Sequence, residues 1–221
     1  MTDRPILMNA EMVRATLSGS KTQTRRIVKS LPDGIARVAG PWMKQDGTCV
    51  DGHDWSFGSG EIKGDSQNFF VDKKMPCPFG IPGDRLWVRE SGNLSLDKHA
   101  WMYADHGGCL SPLAPRGSES WAREWKGTPS IHMPRWASRI TLEVTGVRAE
   151  RLNDICEVDA KAEGVTAHDM YGPNGFAFAH GCTYKASFAN LWESINGPGS
   201  WDANPWVWVI EYKRIYGEDA S

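Results

Sequence analysis

The sequence predicts an α+β domain built around a small, strongly curved β-sheet or barrel. Three segments alternate at strand spacing, one segment carries a clear helical stripe, and helices are few. This balance favours a curved sheet or barrel over a helical bundle. For a chain of 221 residues, we expect one domain over 1–221 with insertions at about 32–80 and 91–130.

The first predicted helix runs from Asn9 to Ser18. Asn9 suits the N-cap because its side-chain oxygen can accept a first-turn N–H, and Gly19 suits the residue that follows the helix. After the basic stretch that begins at Gly19, the segment from Thr24 to Val28 is predicted to begin a strand.

Residues 32–80 are rich in Gly, Asp and Pro and show little periodicity. This composition is typical of a long insertion or loop region, in which we place a small hairpin at Asp51–Phe57. Regular structure returns after a predicted turn at 82–84, where residues alternate from Leu86 to Glu90 as in a strand. Residues 91–130 are again polar and are interpreted as a second insertion.

The next predicted strand lies at Ile140–Thr145, where one face is apolar. A helix should follow, because Asp154 and Glu157 have the spacing of a capping box and Gly164 can end the helix.

The clearest helical stripe and the last strand lie near the C-terminus. The stripe has i, i+4, i+7, i+8 and i+11 spacing and consists of Tyr184, Phe188, Leu191, Trp192 and Ile195. Asn196-Gly197 ends this helix. In the strand from Trp206 to Lys213 both faces are largely apolar, which predicts a central strand covered on both sides.

The net charge of the chain excludes a globally basic nucleic-acid binder, but the charge of its first 30 residues is compatible with a local anion-binding site. The net charge is −2, yet residues 1–30 carry six basic residues against two acidic ones, a local charge of +4. Such a patch can attract phosphate or another anion. The sequence contains no run of about 18 apolar residues, so we expect no membrane span. The N-terminus lacks the apolar core of a signal peptide.

The cysteine pattern indicates free thiols in a reducing cytoplasm. The five cysteines are an odd number, widely spaced and without a CxxC pair. The cysteines and histidines show no compact zinc-like spacing, so we expect neither a metal nor a cofactor. The residues compared for such spacing are Cys49, His53, Cys77, His106, Cys109, His132, Cys156, His180 and Cys182.

Lys21 and Thr24 are the sharpest candidate pair for chemistry. A threonine hydroxyl is a weak nucleophile that needs a base, and a lysine can serve only when neutral. Arg25 and Arg26 supply like charge that favours the neutral amine. In a regular strand Lys21 and Thr24 would point to opposite faces, so they converge only if the chain turns after Gly19. The alternative interpretation is a solvated basic turn.

Two glutamates are further candidates. Glu163 lies in the last turn of a predicted helix, where the helix dipole disfavours a carboxylate by roughly 0.3–1 kcal/mol. A nearby cation would offset this, and a raised pKa would suit proton shuttling. The alternative is a solvent-facing side chain. For Glu90, a structural ion pair with an arginine is favoured over catalysis.

The motifs together resemble the ASCH domain, a branch of the PUA-like β-barrel superfamily. The pattern G-x-K-x-x-T-x-R is met by Gly19, Lys21, Thr24 and Arg26, and G-D-x-L-x-V is met by 83–88. The segments TLEVTGV, AKAEG and WVIEYKRI follow in the family order, and SIHMPRWASRI is similar to prophage-borne members. The resemblance leaves both insertions largely unexplained.

The resemblance implies an amidohydrolase that removes the acetyl group from N4-acetylcytidine or a similar nucleoside. The family's lysine, threonine and glutamate fall on Lys21, Thr24 and Glu163. We assign substrate binding to Arg25, Arg26, Glu90 and Trp87, with an aromatic ring stacking on the base.

Two other functions remain compatible with the sequence. The same basic patch and pocket fit a non-catalytic module that binds RNA or modified nucleic acid, and they also fit a ribonuclease.

Overall fold

The computed structural model describes residues 2–31, 34–35, 37–40, 54–59, 62–63, 66–67, 70–94, 101–103, 128–166 and 183–215. The helices are α1 (Ala10–Leu17), α2 (Glu157–Ala162) and α3 (Tyr184–Asn196). The strands are β1 (Asp3–Leu7), β2 (Gln23–Ile27), β3 (Arg37–Ala39), β4 (Asp54–Ser59), β5 (Ile62–Lys63), β6 (Ser66–Gln67), β7 (Phe70–Pro76), β8 (Arg85–Arg89), β9 (Gly92–Leu94), β10 (Trp101–Tyr103), β11 (Thr141–Arg151) and β12 (Trp206–Ile215). Within these ranges, no helix is long and apolar enough to cross a bilayer.

The predicted α+β class is confirmed by a mixed five-stranded sheet. Its order is β1-β8-β11-β12-β2, with β1 parallel to β8 and the other neighbours antiparallel. A closed barrel is not formed by the described strands, because the edge strands β1 and β2 do not pair. The sheet nevertheless curls: the guanidinium of Arg26 on β2 donates to the carbonyl of Leu7 on β1 at 2.5 Å.

β12 is central, as its two apolar faces predict. Trp208 and Ile210 pack into one core, which also contains Val13 of α1. Val207 and Val209 face the second core, against α2 and α3. A strand buried on both faces needs apolar side chains at successive positions, which explains the sequence of β12.

The predicted ends of α1 and α3 are confirmed. The Asn9 side chain accepts from the backbone N–H of Met12 at 2.8 Å. Gly197 follows α3 with a φ of 96°, a backbone conformation that glycine adopts without steric cost.

The predicted capping box of α2 is wrong. Asp154 closes a short 3₁₀ turn, and the extended, buried Ile155 separates it from the helix, whose N-cap is Cys156. Glu157 instead accepts from the backbone N–H of Tyr184 at 2.8 Å, so it satisfies the first turn of α3.

The first insertion contains more regular structure than the sequence predicts. β3, β4 and β7 form an antiparallel sheet, and β4 covers the described part of the predicted hairpin, whose residues 51–53 lie outside the described chain. Phe57 of β4 packs edge-on against Trp208, with ring centroids 5.6 Å apart. In the second insertion, β9 and β10 pair as a short antiparallel ribbon.

Candidate active site at the edge of the sheet

The backbone turns at the end of α1 and brings Lys21 beside the end of α2. Gly19 has a φ of 78°, which permits the sharp reversal after the helix. The N–H of Thr22 then donates to the carbonyl of Ala162 at 2.9 Å, and Lys21 pairs with Glu163 as an isolated antiparallel bridge. The bend that the sequence argument requires is therefore present.

The Lys21 amine is enclosed and held by a single residue. Its Nζ donates to the backbone carbonyl of Glu163 at 2.8 Å and to the carboxylate Oε2 at 2.7 Å, and the two side chains are 1% and 3% exposed. Burial lowers the pKa of Lys21 from its usual value; the Glu163 carboxylate opposes this shift, and Arg26 and Arg25 add to it. The balance favours an amine that loses its proton more easily than an exposed lysine.

Glu163 lies between two cations. One carboxylate oxygen accepts from Lys21, and the other accepts from Arg25 at 3.1 Å. The residue is the C-cap of α2, where the helix dipole is unfavourable to a negative charge. The two cations offset this placement, so the predicted solvent-facing alternative does not apply.

Thr24 is buried on β2. Its side chain shares a face with Ile210, the residue opposite it on β12. Thr24 and Glu163 line one small cavity of about 70 Å³, which Arg26 and the α3 residues Phe188 and Trp192 also line. The hydroxyl has no hydrogen-bond partner among the described residues, so no direct bond joins Thr24 to Lys21, whose amine bonds to Glu163.

Arg26 lines this cavity and has one buried donor that the described residues leave without a partner. One terminal nitrogen bonds the carbonyl of Leu7, while the buried Nε has no partner in the described part of the chain. Burial lowers the pKa of Arg26, and the nearby Glu163 and Tyr212 raise it. A buried donor without a partner costs about 1–3 kcal/mol, so the site suits an oxygen-rich ligand or a developing oxyanion.

The Arg25 side chain is fully buried, and its donors are used by carboxylates. Its side chain is 0% exposed. It donates to Glu150 at 2.6 Å, to Asp159 at 3.0 Å and to Glu163 at 3.1 Å. Arg148 binds Glu150 and Asp159 in turn, which extends the ion network across the sheet. Held on three sides, Arg25 fixes the position of the Glu163 carboxylate.

The structure places Glu90 and Trp87 away from this cavity. Glu90 is buried and forms a two-point ion pair with Arg139, at 3.1 and 2.7 Å, which is the structural pairing that the sequence favours. Trp87 is buried under Arg89, whose guanidinium carbon lies 4.6 Å from the ring centroid. Neither residue lines the cavity that contains Thr24.

Sequence reasoning missed Tyr212. Its hydroxyl is buried and lies 3.4 Å from the Thr16 hydroxyl. Burial raises the pKa of Tyr212, and Glu163 contributes in the same direction, so this phenol stays protonated near the site. The alternation of β12 predicts the face of Tyr212, but only the pairing of β12 with β2 shows that this face meets Thr24.

No group of three or more His, Cys, Asp or Glu side chains suited to a metal ion occurs in the part of the chain that the structure describes. His132, Cys77 and Cys156 lie within that part, while the remaining cysteines and histidines of the sequence-based test lie outside it. Comparisons with family models, curated proteins and solved structures found no match for this chain. The geometry of the site therefore carries the functional conclusion.

Proposed function

We propose that the chain is an amidohydrolase that removes an acyl group from N4-acetylcytidine or a similar N-acylated nucleoside. The observation that carries this proposal is the buried Lys21–Glu163 pair, whose carboxylate lines the same cavity as the unbonded Thr24 hydroxyl. A candidate nucleophile and a carboxylate therefore line one cavity, and the carboxylate is hydrogen-bonded to an amine whose pKa is lowered by burial. Covalent acyl transfer uses groups of these three kinds.

In the proposed reaction, neutral Lys21 takes the proton of Thr24 while the Thr24 oxygen bonds to the acyl carbon. Arg26 stabilises the oxyanion with its free donors. The carbon–nitrogen bond then breaks, and Glu163, which shares a hydrogen bond with Lys21, passes the proton to the leaving amine. Water hydrolyses the acyl-threonine ester, returns the hydroxyl to Thr24 and releases the carboxylic acid.

We further propose that the chain belongs to the ASCH domain family of the PUA-like superfamily. The ordered motifs at 19–26, 83–88 and 160–164 support this, and so does a curled sheet whose edge strands approach each other at Arg26. The free thiols of Cys77 and Cys156 support a reducing, cytoplasmic location.

The test is acetate release from N4-acetylcytidine by three variants. Thr24→Val removes the hydroxyl at nearly constant shape and should lower kcat/KM by on the order of 10³ or more. Thr24→Ser keeps a hydroxyl and should keep measurable turnover. Thr22→Val removes an exposed hydroxyl two residues away and should behave as wild type. Equal rates for wild type and Thr24→Val would refute the amidohydrolase.

A second candidate is a non-catalytic module that binds RNA or a modified nucleic acid. The observation that favours it is the Lys21 amine, which is held by Glu163 and makes no direct bond to Thr24. In that case no variant releases acetate, while Arg26→Ala weakens binding of an RNA probe because Arg26 is the cation with free donors in the cavity.

A further inference from the structure

The candidate cavity lies in the middle of a longer row of depressions along the edge strand β2. On one side it adjoins, at Met12, Glu163 and Leu191, a groove of about 480 Å³ between α1 and α3. On the other side it adjoins, at Ile27, a groove of about 600 Å³ that extends over 28–31. A ligand in the cavity can therefore continue in both directions.

Basic side chains that can still bind an anion line each of the three depressions. Arg14 lines the first groove, Arg26 the central cavity and Lys29 the third groove. Arg14 and Lys29 are exposed, and neither side chain has an ion-pair partner within the described ranges. The charge of Glu163 is already balanced by Lys21 and Arg25. Glu11 lines the first groove beside Arg14 and balances its charge, whereas the third groove carries Lys29 and Arg151 and no acidic side chain among its lining residues. The central cavity and the third groove are thus complementary to negative charges, and Arg14 adds a phosphate contact at the other end.

Apolar side chains lie between these cations along the row. Ile27 and Ile195 are exposed beside the central cavity, by 39% and 50%. The indole of Trp206 lines the third groove, with the guanidinium carbon of Arg151 over its ring at 4.6 Å. Rings and aliphatic faces between cations are what successive bases and phosphates of a single strand require.

We propose that the substrate is a single-stranded polynucleotide, with the acyl group of the modified base in the central cavity and the flanking nucleotides in the two grooves. This inference rests on the amidohydrolase function. Arg14 and Lys29 contact flanking phosphates, and a neighbouring base packs on the exposed side chain of Ile27. A free nucleoside, whose acyl group occupies the central cavity, has no flanking phosphates and gains nothing from the outer cations.

The experiment compares two substrates, free N4-acetylcytidine and a short single-stranded RNA with one central N4-acetylcytidine. For wild type, kcat/KM should be about tenfold or more higher on the RNA at low salt and should fall as salt rises, because counterions are released from bound phosphates. The Arg14→Ala/Lys29→Ala double variant should lose about tenfold on the RNA and nothing on the nucleoside. Arg135→Ala, which removes a cation beside Asp3 and Trp87, is the matched control.

The inference is overturned if RNA and nucleoside react equally well, or if the double variant lowers both rates alike. Absence of acetate from either substrate removes the amidohydrolase but leaves the groove testable by fluorescence anisotropy with the same RNA. Binding that weakens with salt and in the double variant then supports a strand-binding groove, and equal anisotropy curves for wild type and the double variant refute it.

Discussion

Glu163 is the residue on which the charge balance of the site depends. Glu163→Gln leaves two buried cations, Lys21 and Arg25, without the carboxylate they share, and should lower the free energy of unfolding by about 3–5 kcal/mol. Lys21→Met should cost less, because Glu163 keeps its bond to Arg25. Urea unfolding of both variants measures the difference.

The free energy of unfolding of Glu163→Gln should also depend on pH through the buried Lys21 amine. The folded pKa of Lys21 is lowered, so between that value and 10.5 the unfolded chain binds more protons than the folded one, and stability rises with pH. Without Glu163 the pKa of Lys21 falls further, so the rise in stability should begin at lower pH and be larger in total. Glu143→Gln, which loses a surface pair with Lys213, should change stability by about 0.5 kcal/mol or less. An equal cost for Glu143→Gln and Glu163→Gln would contradict the buried pair.

The candidate residues of the site were predictable to different degrees. Lys21, Thr24 and Glu163 carry recognisable chemistry; in the structure Lys21 bonds to Glu163, and Thr24 lines a cavity with Glu163. Arg25 and Arg26 look alike in sequence and both line the cavity. Alternate strand positions nevertheless give them different partners: Arg25 is held by three carboxylates, whereas Arg26 bonds to the carbonyl of Leu7. That division depends on which face of β2 meets α2, a tertiary fact that no local pattern contains.

At the scale of elements, Gly164 sets how closely α1, α2 and β2 approach. Its φ is 82°, and a Cβ there would lie 2.8 Å from the Cβ of Ala15 and 2.9 Å from the Cβ of Lys21. Gly164→Ala therefore adds overpacking to backbone strain. We expect a loss of stability about 1–3 kcal/mol larger than strain alone produces. Thermal or urea unfolding measures it.

Gly199 is the matched control for this prediction. Its φ is 77°, and a Cβ there meets no atom within 4 Å. Gly199→Ala therefore reports the cost of backbone strain without a steric clash. If both variants lose the same stability, the close approach at Gly164 has no energetic consequence.

Elements with strong local patterns were predictable and the others were not. α3 and β12 combine a long apolar pattern with a clear end, and both appear as predicted. β1 carries a proline and only one buried side chain, Ile6, so its sequence lacks strand alternation. It forms because it pairs in parallel with β8, a long-range partner that its own residues do not reveal.

At the scale of the whole molecule, we expect the insertion sheet of β3, β4 and β7 to unfold together with the main sheet. Phe57 is 0% exposed and lies between Trp206 and Trp208 of the central strand, with edge-on ring contacts to both. Phe57→Ala should therefore lower the free energy of unfolding of the entire domain by about 3–5 kcal/mol. Far-UV circular dichroism and tryptophan fluorescence should give coincident transitions in wild type and variant.

Lys74→Ala, an exposed change on β7, should shift neither transition by more than about 0.5 kcal/mol. A fluorescence transition that moves alone in Phe57→Ala would mean that the insertion sheet is a separate folding unit.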